Sequence, residues 1–229
     1  MATRRYAVLD CEDAPRWAGH DQNWIDLLGR SGEIWHSYRA WAGELPAAPR
    51  AYDGYVLTGS HHSVNDASQT WLGPLFEFVA AAAADQAKMF GACFGLQVIT
   101  TALGGRVESN PGGRFAFGSE RVQFTGGGDL GDALTLLESH AEQATRLPPG
   151  ARRLAGSATA ENEVFAIGDH VLAVQFHAEF TPQMLLDKIL PRLRDERRLD
   201  PDEEARALAS LDAPLDSARF MAAIRRFLG

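Results

Sequence analysis

Residues 90–97 read Phe-Gly-Ala-Cys-Phe-Gly-Leu-Gln, and this stretch joins a short apolar run to a segment with helical spacing. Its centre, Cys93, lies in a G-x-C-x-G pattern that is typical of a nucleophile elbow, where a strand turns abruptly into a helix. Such an elbow strains the backbone of the cysteine, places its sulfur at the end of the sheet, and aims the N–H groups of the helix N-terminus toward it. On this motif alone, a small buried cysteine without catalytic function is an equally good interpretation.

Outward from the elbow, short apolar runs alternate with helical patterns through the first half of the chain. The alternation is typical of successive strand-helix-strand units, and it predicts an α/β fold with a mainly parallel central sheet flanked by helices. We expect strands at 6–9, 33–38, 55–58 and 89–92. We expect helices at 20–28, 71–84 and 96–103.

The second half of the chain has a different pattern. Between residues 106 and 175, β-rich pieces with glycine and proline turns between them predict a small antiparallel extension, with strands at 122–124, 134–137, 163–167 and 171–175. Thr181-Pro182, an N-cap and first-turn pair, opens a helical remainder. We therefore divide the chain into a main domain over 1–190 and a C-terminal helical extension over 191–229 that packs on the same domain. A second catalytic domain does not fit in 229 residues.

The composition excludes several classes of protein. An apolar fraction of 45% and a charged fraction of 23% are those of an ordinary globular domain. The net charge of -8 and the scattered arginines argue against binding to nucleic acid. No stretch approaches the roughly 20 apolar residues of a membrane span, and the N-terminal segment lacks the apolar core of a signal peptide, so we expect a cytoplasmic protein. Its two cysteines, Cys11 and Cys93, are then free thiols.

A second motif supplies partners for Cys93. Residues 174–180 read Val-Gln-Phe-His-Ala-Glu-Phe and end an apolar strand with His177 and Glu179 two positions apart. In an extended chain that spacing puts both side chains on the same face, so the glutamate can hold the imidazole. A cysteine nucleophile needs a base, and the base needs a third group that fixes its tautomer. We interpret Cys93, His177 and Glu179 as a catalytic triad. The alternative is a strand-end histidine beside a solvated glutamate.

These two motifs resemble those of the class I, or triad, glutamine amidotransferase superfamily, most of all its stand-alone γ-glutamyl peptidases and GMP-synthase-glutaminase-like members. Residues 91–97 resemble the G-x-C-x-G-x-Q elbow of the family, and residues 177–179 resemble its H-P-E, with Ala178 in place of the proline. The resemblance covers nearly all of the chain. It implies a flavodoxin-like fold for the parallel sheet, with a small antiparallel extension and C-terminal helices added to it.

The resemblance also implies an oxyanion hole. Residues 52–60 resemble a segment ending in a glycine whose backbone N–H, with that of the residue after the cysteine, receives the developing negative charge. These donors would be the N–H groups of Gly59 and Phe94.

A further resemblance concerns the glutamyl end of the substrate. Residues 138–142 resemble the S-H-x-D segment of the family, so Ser139 and His140 are expected to bind that end together with Gln97. Two departures fall in these motifs: many members have histidine where this chain has Leu96, and aspartate where it has Glu142.

Several aromatic residues suggest a leaving-group side. Trp17 and Trp41 fall in loops after the first two expected strands, where parallel sheets open their ligand crevice, and they are candidates to wall a pocket for an apolar leaving group. Simple loop packing is the alternative.

His61 and His62 follow Gly59, but sequence neighbours in a loop rarely share an ion, and no cysteine or carboxylate stands at a recognisable spacing. We therefore expect no metal, and the chemistry requires no organic cofactor.

The expected function is a cysteine-dependent hydrolase that cleaves γ-glutamyl amide bonds, in γ-glutamyl conjugates or glutamine, through a glutamyl-thioester intermediate. Its expected partner is a small-molecule γ-glutamyl substrate. Two alternatives stay open. The chain is a glutaminase subunit if it delivers ammonia to a separate synthase chain, and the triad does not distinguish these cases. A regulatory or binding protein that has lost activity is the third interpretation, and an intact Cys93, His177 and Glu179 argue against it.

Overall fold

The computed structural model describes residues 3–126 and 128–229. Its strands are, in chain order, β1 (Arg5–Asp10), β2 (Ile34–Arg39), β3 (Gly54–Leu57), β4 (Lys88–Ala92), β5 (Arg106–Ser109), β6 (Ala116–Phe124), β7 (Ala133–His140), β8 (Glu142–Arg146), β9 (Arg152–Gly156), β10 (Val164–Ile167) and β11 (Val171–Val174). Its α-helices are α1 (His20–Leu28), α2 (Leu72–Ala84), α3 (Phe94–Ala102), α4 (Pro182–Met184), α5 (Leu190–Asp195), α6 (Pro201–Ser210) and α7 (Ser217–Leu228). A π-helical segment, Leu185–Ile189, joins α4 to α5.

Across the described residues, one nine-stranded sheet runs in the order β2-β1-β3-β4-β11-β10-β9-β6-β7. The strands from β2 to β11 in this order are parallel, and each neighbouring pair from β11 to β7 is antiparallel. β5 and β8 form a separate antiparallel pair. The predicted α/β class with its parallel sheet is therefore confirmed. The antiparallel part is larger than expected, because four strands continue the main sheet.

Three short strands of the second half, β5, β8 and β9, have no counterpart among the expected strands. β5 reads Arg-Val-Glu-Ser and buries only its valine, and β9 opens with two exposed arginines. In such segments the apolar side chains are too few to produce the period-two pattern by which a strand is recognised.

The central sheet is covered on both faces. Successive residues of β1 point to opposite sides, since Ala7 and Leu9 belong to one apolar cluster and Tyr6 and Val8 to another. Helices α2 and α3 bury their apolar side chains in the first cluster, and α1 and α7 bury theirs in the second. Helix α7 thus covers the sheet as α1 does, through Phe220, Met221, Ile224 and Leu228. The boundary at residue 190 stays a prediction.

Four parallel strands end at the same edge of the sheet, and their loops lie side by side. β1 is followed by residues 11–13, β3 by residues 58–62, β4 by Cys93, and β11 by residues 175–179. In open parallel sheets this carboxyl edge is where ligands bind. No helix within the described residues combines the length and apolarity required to cross a membrane.

Candidate active site

The backbone at Cys93 is a tight strand-to-helix turn. Cys93 has φ 50° and ψ −104°, a left-handed conformation that a residue with a side chain adopts only under constraint. Its N–H donates to Val174 O at 2.7 Å, which ties the turn to β11. A Cβ on Gly91 would lie 2.6 Å from the carbonyl carbon of Gly95, and one on Gly95 would lie 2.9 Å from that of Leu57. Both glycines are therefore sterically required.

The sulfur of Cys93 lies among polar groups at the end of β4. Gln175 Nε2 donates toward Sγ at 3.6 Å, and Sγ lies 3.8 Å from the carbonyl oxygen of Ser139. Phe94 is the first residue of α3, so its N–H is one of the helix N-terminal groups that have no intrahelical partner. These N–H groups and the amide of Gln175 are suited to stabilise negative charge on or near the sulfur.

His177 and Glu179 form a buried pair beside this turn. His177 Nδ1–H donates to Glu179 Oε1 at 2.6 Å, which leaves Nε2 available to accept a proton. Both residues are at most 5% exposed. The ring of Phe180 lies parallel to the imidazole, with centroids 3.9 Å apart, and the N–H of His177 donates to Leu137 O at 2.8 Å. The imidazole is thus held by the hydrogen bond at Nδ1 and by the ring of Phe180 on one face. The backbone of the same residue is held by the hydrogen bond to Leu137.

Electrostatics favour the charged form of this pair. Burial works against the imidazolium, but the charges of Glu179 and Cys93 raise the pKa of His177 well above its usual value. Burial likewise works against the carboxylate, yet His177, and then His20, lower the pKa of Glu179 to about 2. His20 Nε2 lies 3.7 Å from the same Oε1. The arrangement can hold a proton on His177 beside Cys93.

Gly59 brings the loop after β3 against both of these groups. A Cβ at Gly59 would lie 2.8 Å from His177 Cε1 and 3.8 Å from the Cβ of Cys93. The backbone of this residue therefore passes within contact distance of the imidazole, and any side chain would displace it. Gly59 thus lies beside both His177 and Cys93.

A cavity of about 430 Å³ opens over Cys93. Of the residues selected from the sequence, its wall includes Cys93, His177, Gly59, Gln97, Ser139, His140 and Trp17. The C-terminal segment also contributes, through Arg192, Glu196 and Arg198. The cavity is therefore built from both sides of the boundary at residue 190.

The two tryptophans have different positions. Trp17 is 7% exposed and stacks on Phe180, with centroids 5.0 Å apart and an interplanar angle of 8°. Phe180 in turn stacks on His177, so the indole extends an aromatic column from the imidazole into the cavity wall. Among the described residues that form this wall, Trp41 is absent; it packs against the apolar cluster on the α2–α3 face, with the Arg39 guanidinium 5.9 Å from its ring. The expected place of Trp41 at the leaving-group side is thus corrected to loop packing.

Gln97 and His140 converge on one carbonyl. Gln97 Nε2 donates to Glu142 O at 2.9 Å, and His140 Nδ1–H donates to the same oxygen at 3.0 Å. Gln97 and His140 therefore shape the cavity wall through the backbone at Glu142 as well as lining it.

A second buried histidine–glutamate cluster lies behind His140. With Nδ1–H directed to Glu142 O, the Nε2 atom of His140 is an acceptor, and Glu138 Oε2 lies 3.1 Å from it. Burial lowers the pKa of His140 to about 4 and raises that of Glu138 to about 8. Glu163, whose pKa is raised by burial and by Glu138, adds a second carboxyl that accepts from Ser157 Oγ at 2.6 Å. A neutral Glu138 beside a neutral His140 avoids an unpaired charge in this buried cluster.

The sequence did not indicate this cluster. Glu138 lies in β7 and Glu163 directly before β10, 25 positions further along the chain, so no local motif joins them. His20, which lies 3.7 Å from Glu179, was missed for the same reason.

Comparison with known proteins gives a consistent result. The family model described as Glutamine amidotransferase class-I matches residues 35–192. Gamma-glutamyl peptidase 4 of Arabidopsis thaliana is 31% identical over 80% of this chain and 77% of its own length. A glutamine-hydrolyzing GMP synthase of Aromatoleum aromaticum is also 31% identical, but over 56% of this chain and 26% of its own length. The crystal structure of a glutamine amidotransferase from Methylobacillus flagellatus superposes with a TM-score of 0.77 at 22% identity, covering 99% of this chain and 92% of that one, which shows a shared fold.

The Glu138 cluster predicts a pH dependence of stability. A carboxyl whose pKa is higher in the folded than in the unfolded state stabilises the fold below the unfolded value, near 4.5, and this contribution is lost as the pH rises toward about 8. Glu138→Gln replaces the carboxyl group by an amide of similar size that does not titrate. The free energy of unfolding, from urea denaturation at pH 5, 6.5 and 8, should therefore fall less steeply than in the unsubstituted protein, by at most about 1.4 kcal/mol per pH unit.

Glu77→Gln, on the exposed side of α2, is the matched control and should keep the original slope. An unchanged slope in Glu138→Gln would mean that Glu138 is ionised in the folded protein.

Proposed function

The chain belongs to the class-I glutamine amidotransferase family, and from this premise we propose that it is a cysteine-dependent hydrolase of γ-glutamyl amide bonds. The observation that carries the proposal is the cavity in which Cys93, His177 and Gly59 meet, with Glu179 at 2.6 Å from the imidazole. Cys93 is the nucleophile, His177 the acid and base, and Glu179 the group that orients His177. The reaction takes place in the cytoplasm, where both thiols stay reduced.

The first half-reaction forms a thioester. The Cys93 thiolate attacks the γ-carbonyl carbon, and the carbonyl oxygen takes up the negative charge, facing the N–H groups of Gly59 and Phe94. The imidazolium of His177 then donates its proton to the departing nitrogen as the C–N bond breaks. Loss of one oxyanion donor typically costs about 2.7–4 kcal/mol in such reactions, which is roughly a hundred- to a thousandfold in rate.

The second half-reaction hydrolyses the thioester. His177, now neutral, takes a proton from water, whose oxygen attacks the thioester carbon at the position vacated by the amine. Collapse of the tetrahedral intermediate breaks the C–S bond, releases glutamate and restores the Cys93 thiolate. The stacked ring of Phe180 and the Nδ1 hydrogen bond keep the imidazole in one orientation through both steps. Glu179 exchanges no proton with the substrate.

The two sides of the cavity have different roles. Gln97, Ser139 and His140 hold the glutamyl end, next to the carbonyl of Glu142 and the sulfur of Cys93. Trp17 lies on the opposite side, where the leaving amine departs. A cavity of about 430 Å³ falls within the usual size of small-molecule sites and leaves room for an amine larger than ammonia.

The nature of the leaving group separates the free hydrolase from the glutaminase subunit. We favour the hydrolase, because the similarity to the γ-glutamyl peptidase extends over most of both chains, whereas the similarity to the GMP synthase covers about a quarter of that enzyme. That partial match is the reason to keep the second candidate, in which ammonia passes to a separate synthase chain.

The assay that tests the proposal measures glutamate release from glutamine and from a panel of γ-glutamyl amines, with and without cell extract. The purified protein should cleave γ-glutamyl amines by itself, and Cys93→Ser should fold but not turn over. Glutaminase activity that appears only with extract would support the subunit. After treatment with a glutamine-like electrophile, mass spectrometry should find the adduct on Cys93. An adduct on the fully buried Cys11 would overturn the assignment.

The proposed roles of His177 and Glu179 predict an order of activities. His177→Ala removes the acid and base, so kcat/KM should fall by about 10⁴-fold or more, whereas Glu179→Gln loses only the orienting charge and should stay roughly a hundredfold more active than His177→Ala. Both are measured as kcat/KM for one γ-glutamyl amide. Equal and complete loss in the two variants would indicate that Glu179 takes part in proton transfer, and full activity in Glu179→Gln would remove it from the triad.

The position of Trp17 predicts an effect on specificity. Trp17→Ala should lower kcat/KM for bulky γ-glutamyl amines by about tenfold or more, because their leaving group loses an apolar wall, and should affect glutamine much less. Trp41→Ala is the matched control and should change neither substrate. If Trp17→Ala slows both substrates equally, the indole acts through Phe180 on His177 and does not contact the leaving group.

A further inference from the structure

Two loops bring a carboxylate and two histidines together at the mouth of the cavity. Asp13 follows β1, whereas His61 and His62 follow β3, and 49 positions separate Asp13 from His62. One ligand atom of each of these three residues lies within 4.8 Å of those of the other two. His62 Nε2 is 3.1 Å from Asp13 Oδ1, and His61 Nε2 is 3.8 Å from the same oxygen. The two imidazole nitrogens therefore face one carboxylate.

A fourth residue, Glu12, fixes the tautomer of His61. Its Oε1 accepts from His61 Nδ1–H at 2.7 Å, and its Oε2 accepts from the backbone N–H of His61 at 2.9 Å. Glu12 is 7% exposed and also accepts from the N–H of Ala14 at 2.8 Å. The proton of His61 is thus held at Nδ1, which leaves Nε2, at 3.8 Å from Asp13 Oδ1, as the free ring nitrogen.

This is the arrangement of a metal-binding histidine. In most metal sites the ligating imidazole donates its other N–H to a carboxylate or carbonyl, which sets the tautomer and strengthens the ligand. The rings of His61 and His62 are in contact, with centroids 4.1 Å apart, and His62 lies edge-on against Trp71 at 5.5 Å.

We propose that Asp13, His61 and His62 form a binding site for a divalent transition metal of the zinc class, with Glu12 as the carboxylate behind His61. Two imidazole nitrogens and one carboxylate oxygen suit zinc and its first-row neighbours; calcium and magnesium prefer ligand sets made of oxygen alone. Three protein ligands leave at least one coordination position open. The sequence argued against a metal here because the carboxylates lie on a different loop, which only the folded chain brings to the histidines.

The site belongs to the wall of the cavity that contains Cys93. His61, His62 and Glu12 line that cavity, and His61 is two residues from Gly59. The proposed site therefore borders the cavity that contains the sulfur of Cys93. This proposal does not depend on the γ-glutamyl activity, since it rests on the two loops alone.

Titration with Co²⁺ tests the site, because its visible absorption reports coordination directly. The parent for this titration is the full-length Cys93→Ser protein, in which the elbow thiol does not compete; the other thiol, Cys11, is fully buried, and burial raises its pKa. We expect saturation at one Co²⁺ per chain and displacement by Zn²⁺. Asp13→Ala and His62→Ala, each in this parent, should weaken binding by at least tenfold.

Two further variants in the same parent make the test specific. Glu12→Gln keeps all three ligands, so it should lower the affinity for Co²⁺ by about tenfold to a hundredfold at unchanged stoichiometry. His36→Ala removes an exposed histidine of β2 and should leave the affinity unchanged. The affinity of each variant is compared with that of the parent only if both proteins have the same midpoint of thermal unfolding, so that a loss of binding does not reflect a loss of folding. Absence of saturable binding at one equivalent, or parental affinity in either Asp13→Ala or His62→Ala, would overturn the three-ligand site.

Discussion

The steric constraint at Cys93 is the feature on which the rest of the site depends. Cys93 keeps φ at 50° because β4 and α3 pack so closely around it that the turn is held in place. Gly91 and Gly95 allow this close packing, since a Cβ at either position would clash. The close contact of Gly95 with Leu57 ties the elbow to β3, and the hydrogen bond from Cys93 N–H to Val174 ties it to β11. The turn thus fixes Cys93, the proposed nucleophile, relative to both neighbouring strands, whose loops carry Gly59 and His177.

Within the described residues, two buried histidine–glutamate pairs have the same local spacing, but the pKa of the glutamate is shifted in opposite directions. Glu179, two residues after His177, has a pKa of about 2, whereas Glu138, two residues before His140, has a pKa of about 8. All four side chains are buried, so burial alone does not explain the difference. His177 and His20 both lie near Oε1 of Glu179 and lower its pKa, whereas burial is the main cause of the raised pKa of Glu138. The charges around each carboxyl group therefore account for the difference between the two pairs.

Much of the fold and the centre of the site follow from local sequence. The elbow, the His177–Glu179 spacing and the glycine after β3 are each encoded within a few residues, so the sequence indicates them without knowledge of the fold. The sequence did not predict β5, β8 and β9 because their side chains are mostly polar. The sequence also did not predict the contacts made by His20, by Glu163 and between Asp13 and His62. Each of them depends on a pairing of distant segments, which a single sequence does not reveal.

The contrast between Trp17 and Trp41 follows from the order of the strands. Neighbouring strands lie about 4.8 Å apart, so β2 is roughly 14 Å from β4 across the sheet, and β1 is roughly 10 Å away. A loop after β2 must therefore cross two other strands to reach the elbow, whereas the turn Pro15–Trp17 after β1 needs to pass only β3. The same order explains the carboxylate–histidine cluster, since β1 and β3 are adjacent and their loops must meet. Position along the chain suggested equal roles for the two tryptophans, and position in the sheet separates them.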